Sequence, residues 1–115
     1  MKLGEVVARL GLELVGQTGR LDREVTGGYA SDLLSDVMAN AREGNVWVTL
    51  QIHQNVVAVA TLKELAGIII VNGRKPEPEV LAKAEQEGVP VMLTGMPAFE
   101  VAGRLYETGI RGNAK

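Results

Sequence analysis

Gly67-Ile68-Ile69-Ile70-Val71 is the stretch whose reading decides the fold. Four β-branched residues follow one another without polar alternation, which predicts a strand buried on both faces at the centre of a parallel sheet. Just upstream, Val56, Val57 and Val59 favour strand locally. Leu62, Leu65 and Ala66 nevertheless continue at helical spacing, with Asn55 as an N-cap and Gly67 as a stop, so residues 55–66 are predicted as a helix. Further out, Val46-Trp47-Val48-Thr49-Leu50 reads as a second buried strand, continuing through Gln51. Downstream, Pro76 and Pro78 introduce a helix over residues 79–87 closed by Gly88. Pro90-Val91-Met92-Leu93-Thr94 is another short buried strand. Pro97 starts a last helix with Ala98, Val101, Ala102 and Leu105 inward and Gly109 at its end, and residues 111–115 are expected to fray.

The first third of the chain is less regular. Leu3, Val6, Val7 and Leu10 form one apolar helix face ended near Gly11, and residues 12–15 read as a short strand. Residues 17–20 make a glycine-containing connection, and residues 21–26 read as a second extended segment. Thr26-Gly27-Gly28 is predicted as the turn into a helix over residues 31–42, opening at Ala30 or Ser31, because Leu33, Leu34, Val37, Met38 and Ala41 recur at helical spacing. From residue 30 onward helix and strand alternate. This is the signature of an α/β fold: a three-layer sandwich with a mostly parallel central sheet of about four to five strands and helices on both faces. One domain over residues 1–115 is expected.

Composition narrows the function classes. Twelve basic residues oppose fourteen acidic ones, and the net charge of −2 gives no electrostatic reason to seek nucleic acid or an anionic membrane. Phe99, Trp47, Tyr29 and Tyr106 are scattered, so there is no base-stacking platform. The chain has no cysteine, which excludes disulfides, thiol catalysis and cysteine-based metal sites. No apolar run approaches the roughly 20 residues that span a bilayer, and the N-terminal segment, interrupted by Glu5 and Arg9, lacks a signal-peptide pattern. A cytoplasmic location is expected.

Two stretches nominate a binding site. Thr26, Gly27, Gly28 and Ser31, read as a glycine turn at a helix start, would place backbone N–H groups and a partial positive charge beside an anion; a tight turn or close helix–strand contact explains the same glycines without a ligand. The second stretch is the rim at the carboxyl ends of the parallel strands, where open α/β sheets bind ligands. Thr49, Gln51 and His53 follow one strand, Asn72 and Gly73 the next, and Thr94 and Gly95 the third. That rim reads as polar, uncharged and rich in hydrogen-bonding groups, although Thr, Asn and Gly also end strands well on their own account.

His53, the single histidine, has no second histidine or carboxylate cluster beside it, so a capping or surface role outweighs a base or metal-ligand role. Asp32 and Asp36 lie one helical turn apart; the reading as a solvated acidic face outweighs a cation site. The P-loop pattern, G-x-G-x-x-G, G-x-S-x-G and H-E-x-x-H do not occur. No acid–base or nucleophile–base pair is nominated, so the chain is read as non-enzymatic, with no cofactor and no metal.

Val25-Thr26-Gly27-Gly28-Tyr29-Ala30-Ser31-Asp32-Leu33-Leu34-Ser35-Asp36-Val37-Met38 resembles the DRTGG domain family. The resemblance extends over nearly the whole chain through Val46-Trp47-Val48-Thr49, residues 55–60 and Val91-Met92-Leu93-Thr94. It implies an α/β domain of the type also found at the N-terminus of HPr kinase/phosphorylase, beside CBS pairs in nucleotide-regulated pyrophosphatases, and in phosphate acetyltransferases. It further implies a regulatory or dimer-forming role; the kinase label attached to some relatives is contradicted by the missing phosphate-binding loop. The expected function is therefore a non-catalytic regulatory or ligand-sensing domain. It would bind a small nucleotide-like effector or a larger partner enzyme, as a homodimer supported by surplus apolar surface at Val56 to Val59. The alternative is a ligand-free dimerisation or scaffold module.

Overall fold

In a computed structural model, residues 1–16 and 20–113 are described; most of the predicted 17–20 connection lies outside them, as do residues 114 and 115. The elements are α1 (Leu3–Leu10), β1 (Glu13–Val15), β2 (Gly27–Ala30), α2 (Leu34–Asn40), β3 (Asn45–Thr49), α3 (Asn55–Leu62), β4 (Gly67–Ile70), α4 (Pro78–Glu87), β5 (Val91–Leu93) and α5 (Ala98–Glu107). The strands form one sheet in the order β1-β5-β4-β3-β2. β2 to β5 run parallel, and β1 joins β5 antiparallel.

The isoleucine strand sits at the middle of that order, as its sequence requires. Ile68 and Ile70 face one side and Ile69 the other, and all three are fully buried. Ile69 packs with Val46, Val48 and Met92 beneath α1 and α5. Ile68 and Ile70 pack with Trp47 and Val91 beneath α2, α3 and α4. A strand covered on both faces gains apolar burial at every residue, at roughly 25 cal/mol per Å², so polar alternation would cost stability here. The three-layer α/β sandwich follows from this burial.

The structure corrects several local expectations. Thr26-Gly27-Gly28 is not a turn into a helix: Gly27 to Ala30 pair in register with Asn45 to Val48, and the helix opens only at Leu34. Residues 21–26 form no strand but run beside the start of α1, where the carbonyls of Arg23 and Leu21 accept the N–H groups of Leu3 and Gly4 at 2.9 and 2.8 Å. They thereby satisfy donors that a helix start leaves unpaired.

Residues 111–113 do not fray. The Arg111 carbonyl accepts the Gly28 N–H at 3.0 Å, and the Asn113 amide donates to Asn40 and Asn45 at 3.2 and 2.8 Å. Val56, Val57 and Val59 are buried between α3 and the sheet, so they offer no surplus surface for a dimer. No helix among the described residues is long and apolar enough to cross a membrane.

Candidate functional site

The signature Asp22-Arg23-Glu24-Val25-Thr26-Gly27-Gly28 lies at the amino ends of the strands, and its side chains bind the chain to itself. Arg23 donates to the carbonyls of Glu64 and Leu65 just beyond α3. The Thr26 hydroxyl donates to the Glu43 carbonyl at 2.7 Å and accepts from the Asn45 amide at 3.3 Å. Asn45 is fully buried, and its carbonyl oxygen also accepts from the Arg42 N–H and the Asn113 amide at 2.9 and 2.8 Å.

A Cβ on Gly27 would lie 2.9 Å from the Arg111 carbonyl. The glycine therefore permits a close backbone approach within the protein, made by the segment after α5 and not by a tight turn or a helix. The Gly28 N–H is bonded to the Arg111 carbonyl and both glycines lie in β2, so they do not form a helix start facing an anion.

The carboxyl ends of β3, β4 and β5 do gather on one rim. Thr94 N–H donates to the Ile70 carbonyl and Val71 N–H to the Thr49 carbonyl, both at 3.1 Å. Ser31, at the end of β2, reaches the same edge through its N–H to the Val48 carbonyl at 3.2 Å. Thr26, Gly27 and Gly28 stand at the opposite end of the sheet, so the nominated residues fall into two separate places.

Half of the rim is committed to internal bonds. The buried Thr49 hydroxyl donates to Asp32 at 3.0 Å, and the Leu50 N–H donates to the same carboxylate oxygen at 2.7 Å. Gln51 donates through its side chain to the Asp32 carbonyl at 2.7 Å. The Ser31 hydroxyl accepts the Leu33 N–H at 3.2 Å. Nδ1 of the exposed His53 accepts the Asn55 N–H at 3.1 Å, a capping role at the start of α3.

Asp36 faces a different set of partners from Asp32. Its two oxygens accept the Tyr29 hydroxyl at 2.9 and 2.8 Å, and one accepts the Asn40 amide at 2.9 Å. Hydrogen bonds from Ser31, Tyr29 and Asn40 hold the Asp36 carboxyl below its ordinary pKa, and the bond to Asp36 pushes the Tyr29 phenol up. The two aspartates are thus tied to different strands and do not converge.

The other half of the rim is open, and it is charged. A cavity of ≈290 Å³ lies where Thr94 and Gly95 leave β5, with Gly73, Arg74 and Lys75 along one wall and Gly11 and Glu13 at the start of β1 along another. Asn72 and Gly73 both adopt left-handed backbone, with φ of 63° and 66°, a conformation in which Asn and Gly are the favoured residues. That double turn is strapped by Asn72 N–H to the Met96 carbonyl and Gly73 N–H to the Thr94 carbonyl, both at 2.9 Å. The two following residues, Arg74 and Lys75, line the cavity, and the Arg74 guanidinium donates to the Leu50 carbonyl at 2.9 Å.

The expected uncharged rim is corrected accordingly. Arg74 and Lys75 lie three and four residues beyond the apolar strand, outside the strand-end positions that the sequence nominates. The available signal was Asn72-Gly73, a left-handed turn pair that redirects whatever follows it. The cavity's lining carries the basic residues Arg74 and Lys75 together with the acidic Glu13, and the Thr94 hydroxyl accepts the Met96 N–H at 3.1 Å; the cavity volume is near the lower end for small-molecule sites.

The family model described as the DRTGG domain matches residues 5–108, and the chain belongs to that family. No curated protein matches the sequence. Among solved structures, the chain is similar to the CBS and DRTGG domains of the regulatory region of Clostridium perfringens pyrophosphatase, a crystal structure complexed with its activator, diadenosine tetraphosphate. The TM-score is 0.66 at 12% identity, covering 90% of this chain and 45% of that one, so the chain spans less than half of the matched protein. At that identity the likeness is one of fold.

Proposed function

From its membership of the DRTGG family, we propose that this chain is a non-catalytic regulatory module that takes a small anionic, nucleotide-like effector at the carboxyl ends of its parallel strands. The observation that carries the reading is that Arg74 and Lys75 line one cavity with Thr94 and Gly95 at the carboxyl end of β5. Phosphate oxygens suit this set, since they accept from guanidinium, ammonium and hydroxyl donors together. The cavity admits a phosphate chain rather than a whole nucleotide, which leaves a base outside it.

The likeness to a regulatory region that carries diadenosine tetraphosphate supports the same class of effector. The module acts as a homodimer or docked on a larger enzyme, where effector binding would alter the partner.

Thermal unfolding with ATP, diadenosine tetraphosphate and pyrophosphate tests this. At about 100 times Kd a ligand stabilises the folded state by about 2.7 kcal/mol, so a Kd of ~10 μM gives a clear shift at ~1 mM. Lys75→Glu should abolish the shift while leaving ligand-free unfolding unchanged. No shift with any of the three probes would overturn the effector reading.

A further inference from the structure

We infer that the outer face of α5 pairs with α5 of a second copy of this chain about a twofold axis. Phe99 is 89% exposed and Tyr106 59% exposed. They lie seven residues apart, two helical turns, with exposed Ala102 and Gly103 between them on the same face. Ala102 was expected to point inward; Val101 and Leu105 are the buried positions. Beside this face runs a mainly apolar cavity of ≈150 Å³ walled by Ala102, Leu105, Tyr106 and Ile110 from one side and by Gly28 and Ala30 of β2 from the other, with Arg111, whose guanidinium covers one face of the Tyr106 ring at 3.8 Å, also on its wall. A projecting phenyl ring and an apolar recess on one surface are the two halves of a self-complementary contact.

The occupant follows from register and charge. Setting two copies of α5 antiparallel, with Gly103 against the partner's Ala102, places Phe99 of each copy opposite Tyr106 of the other, at the mouth of the recess. The same register puts Glu100 of each copy beside Arg104 of the other along one flank. These two residues already form an ion pair within the helix, with 3.6 Å between N and O. Pairing would therefore turn two i,i+4 pairs into one alternating four-charge cluster. Gly103 has no atom within 4 Å of where a Cβ would lie, so nothing inside the protomer requires glycine there, whereas close approach of a second helix does.

This inference deepens the dimer part of the proposed function and is independent of the effector cavity. Sedimentation of the full chain over a concentration series up to millimolar tests it. The parent should dimerise. Phe99→Ser should weaken the dimer by roughly 30-fold, as loss of an aromatic anchor does. Gly103→Glu, which has room in the protomer, should do the same with the thermal stability of the monomer not lowered, since glycine is the poorer helix former. Glu100→Arg should weaken association, and adding Arg104→Glu should restore it. A parent that stays monomeric at millimolar concentration overturns the dimer reading itself. A dimer indifferent to Phe99→Ser and Gly103→Glu leaves dimerisation standing and overturns this face.

Discussion

Replacing Gly27 with alanine separates a structural signature from a ligand-binding one. The backbone at Gly27 is not left-handed, so alanine meets no φ penalty there. By limiting the unfolded chain it would alone stabilise by about 0.4–1 kcal/mol. Against that stands the added methyl, 2.9 Å from the Arg111 carbonyl, 3.2 Å from the Asn45 amide nitrogen and 3.3 Å from the Asn113 side-chain oxygen. The nearest atom is backbone and cannot rotate away, so an overpacking cost of about 1–3 kcal/mol applies.

The net expectation is a loss of roughly 1–2 kcal/mol. For a domain of this size that is a fall in Tm of roughly 4–10 °C. Trp47 is the assay, because the only tryptophan is fully buried with its indole N–H on the Ser31 carbonyl at 2.8 Å, and its fluorescence follows unfolding in urea. The decisive comparison is the same substitution in a chain ending at Ile110, which lacks the clashing carbonyl. There Gly27→Ala should become neutral or slightly stabilising. An equal cost in both backgrounds, or none in the full chain, refutes the close-approach account.

Asn45→Ala should cost roughly 2–4 kcal/mol, because it removes three hydrogen bonds of a fully buried side chain, among them the one that pairs the Arg42 N–H; a midpoint unchanged in urea would contradict the node described at Asn45. Stability should also fall at both pH extremes through one contact. The Asp36 carboxyl lies below its ordinary value of 3.8, so its contribution is present above that value and lost as pH falls through the lowered one. The Tyr29 phenol lies above 10.0, so its contribution is present below that value and lost as pH rises through the raised one. Tyr29→Phe should flatten both limbs, read as urea midpoints against pH. Asp32→Asn should loosen the β3 end of the rim, read as faster amide exchange at Leu50 and Gln51, with the cavity at Thr94 unaffected.

The layers of this fold are legible in the sequence because burial on two faces leaves a compositional mark. Unalternating runs at residues 46–49, 67–70 and 91–93 can be read without coordinates, and so can the glycine stops at Gly11 and Gly88, both left-handed as expected. Gly27-Gly28-Tyr29-Ala30 carried no such mark. At an edge strand the glycine is selected by the carbonyl of Arg111, more than eighty residues away in sequence, and no local pattern encodes a contact at that distance.

The candidate site divides for the same reason. The gathering of Thr49, Asn72 and Thr94 follows from parallel order alone. Which of them stays open depends on where Asp32 points, and that is decided by packing of the β2–α2 connection. Arg74 and Lys75 enter the site because two left-handed residues turn the chain back over the rim. The order of polar residues along the chain does not show this.

The most direct test of the account is an amide chemical-shift titration of the full chain with ATP. Shifts should concentrate at Gly73, Lys75, Thr94 and Gly95, with Gly27 and Gly28 unmoved. Shifts centred on Gly27 and Gly28, or none anywhere at millimolar ATP, would contradict it.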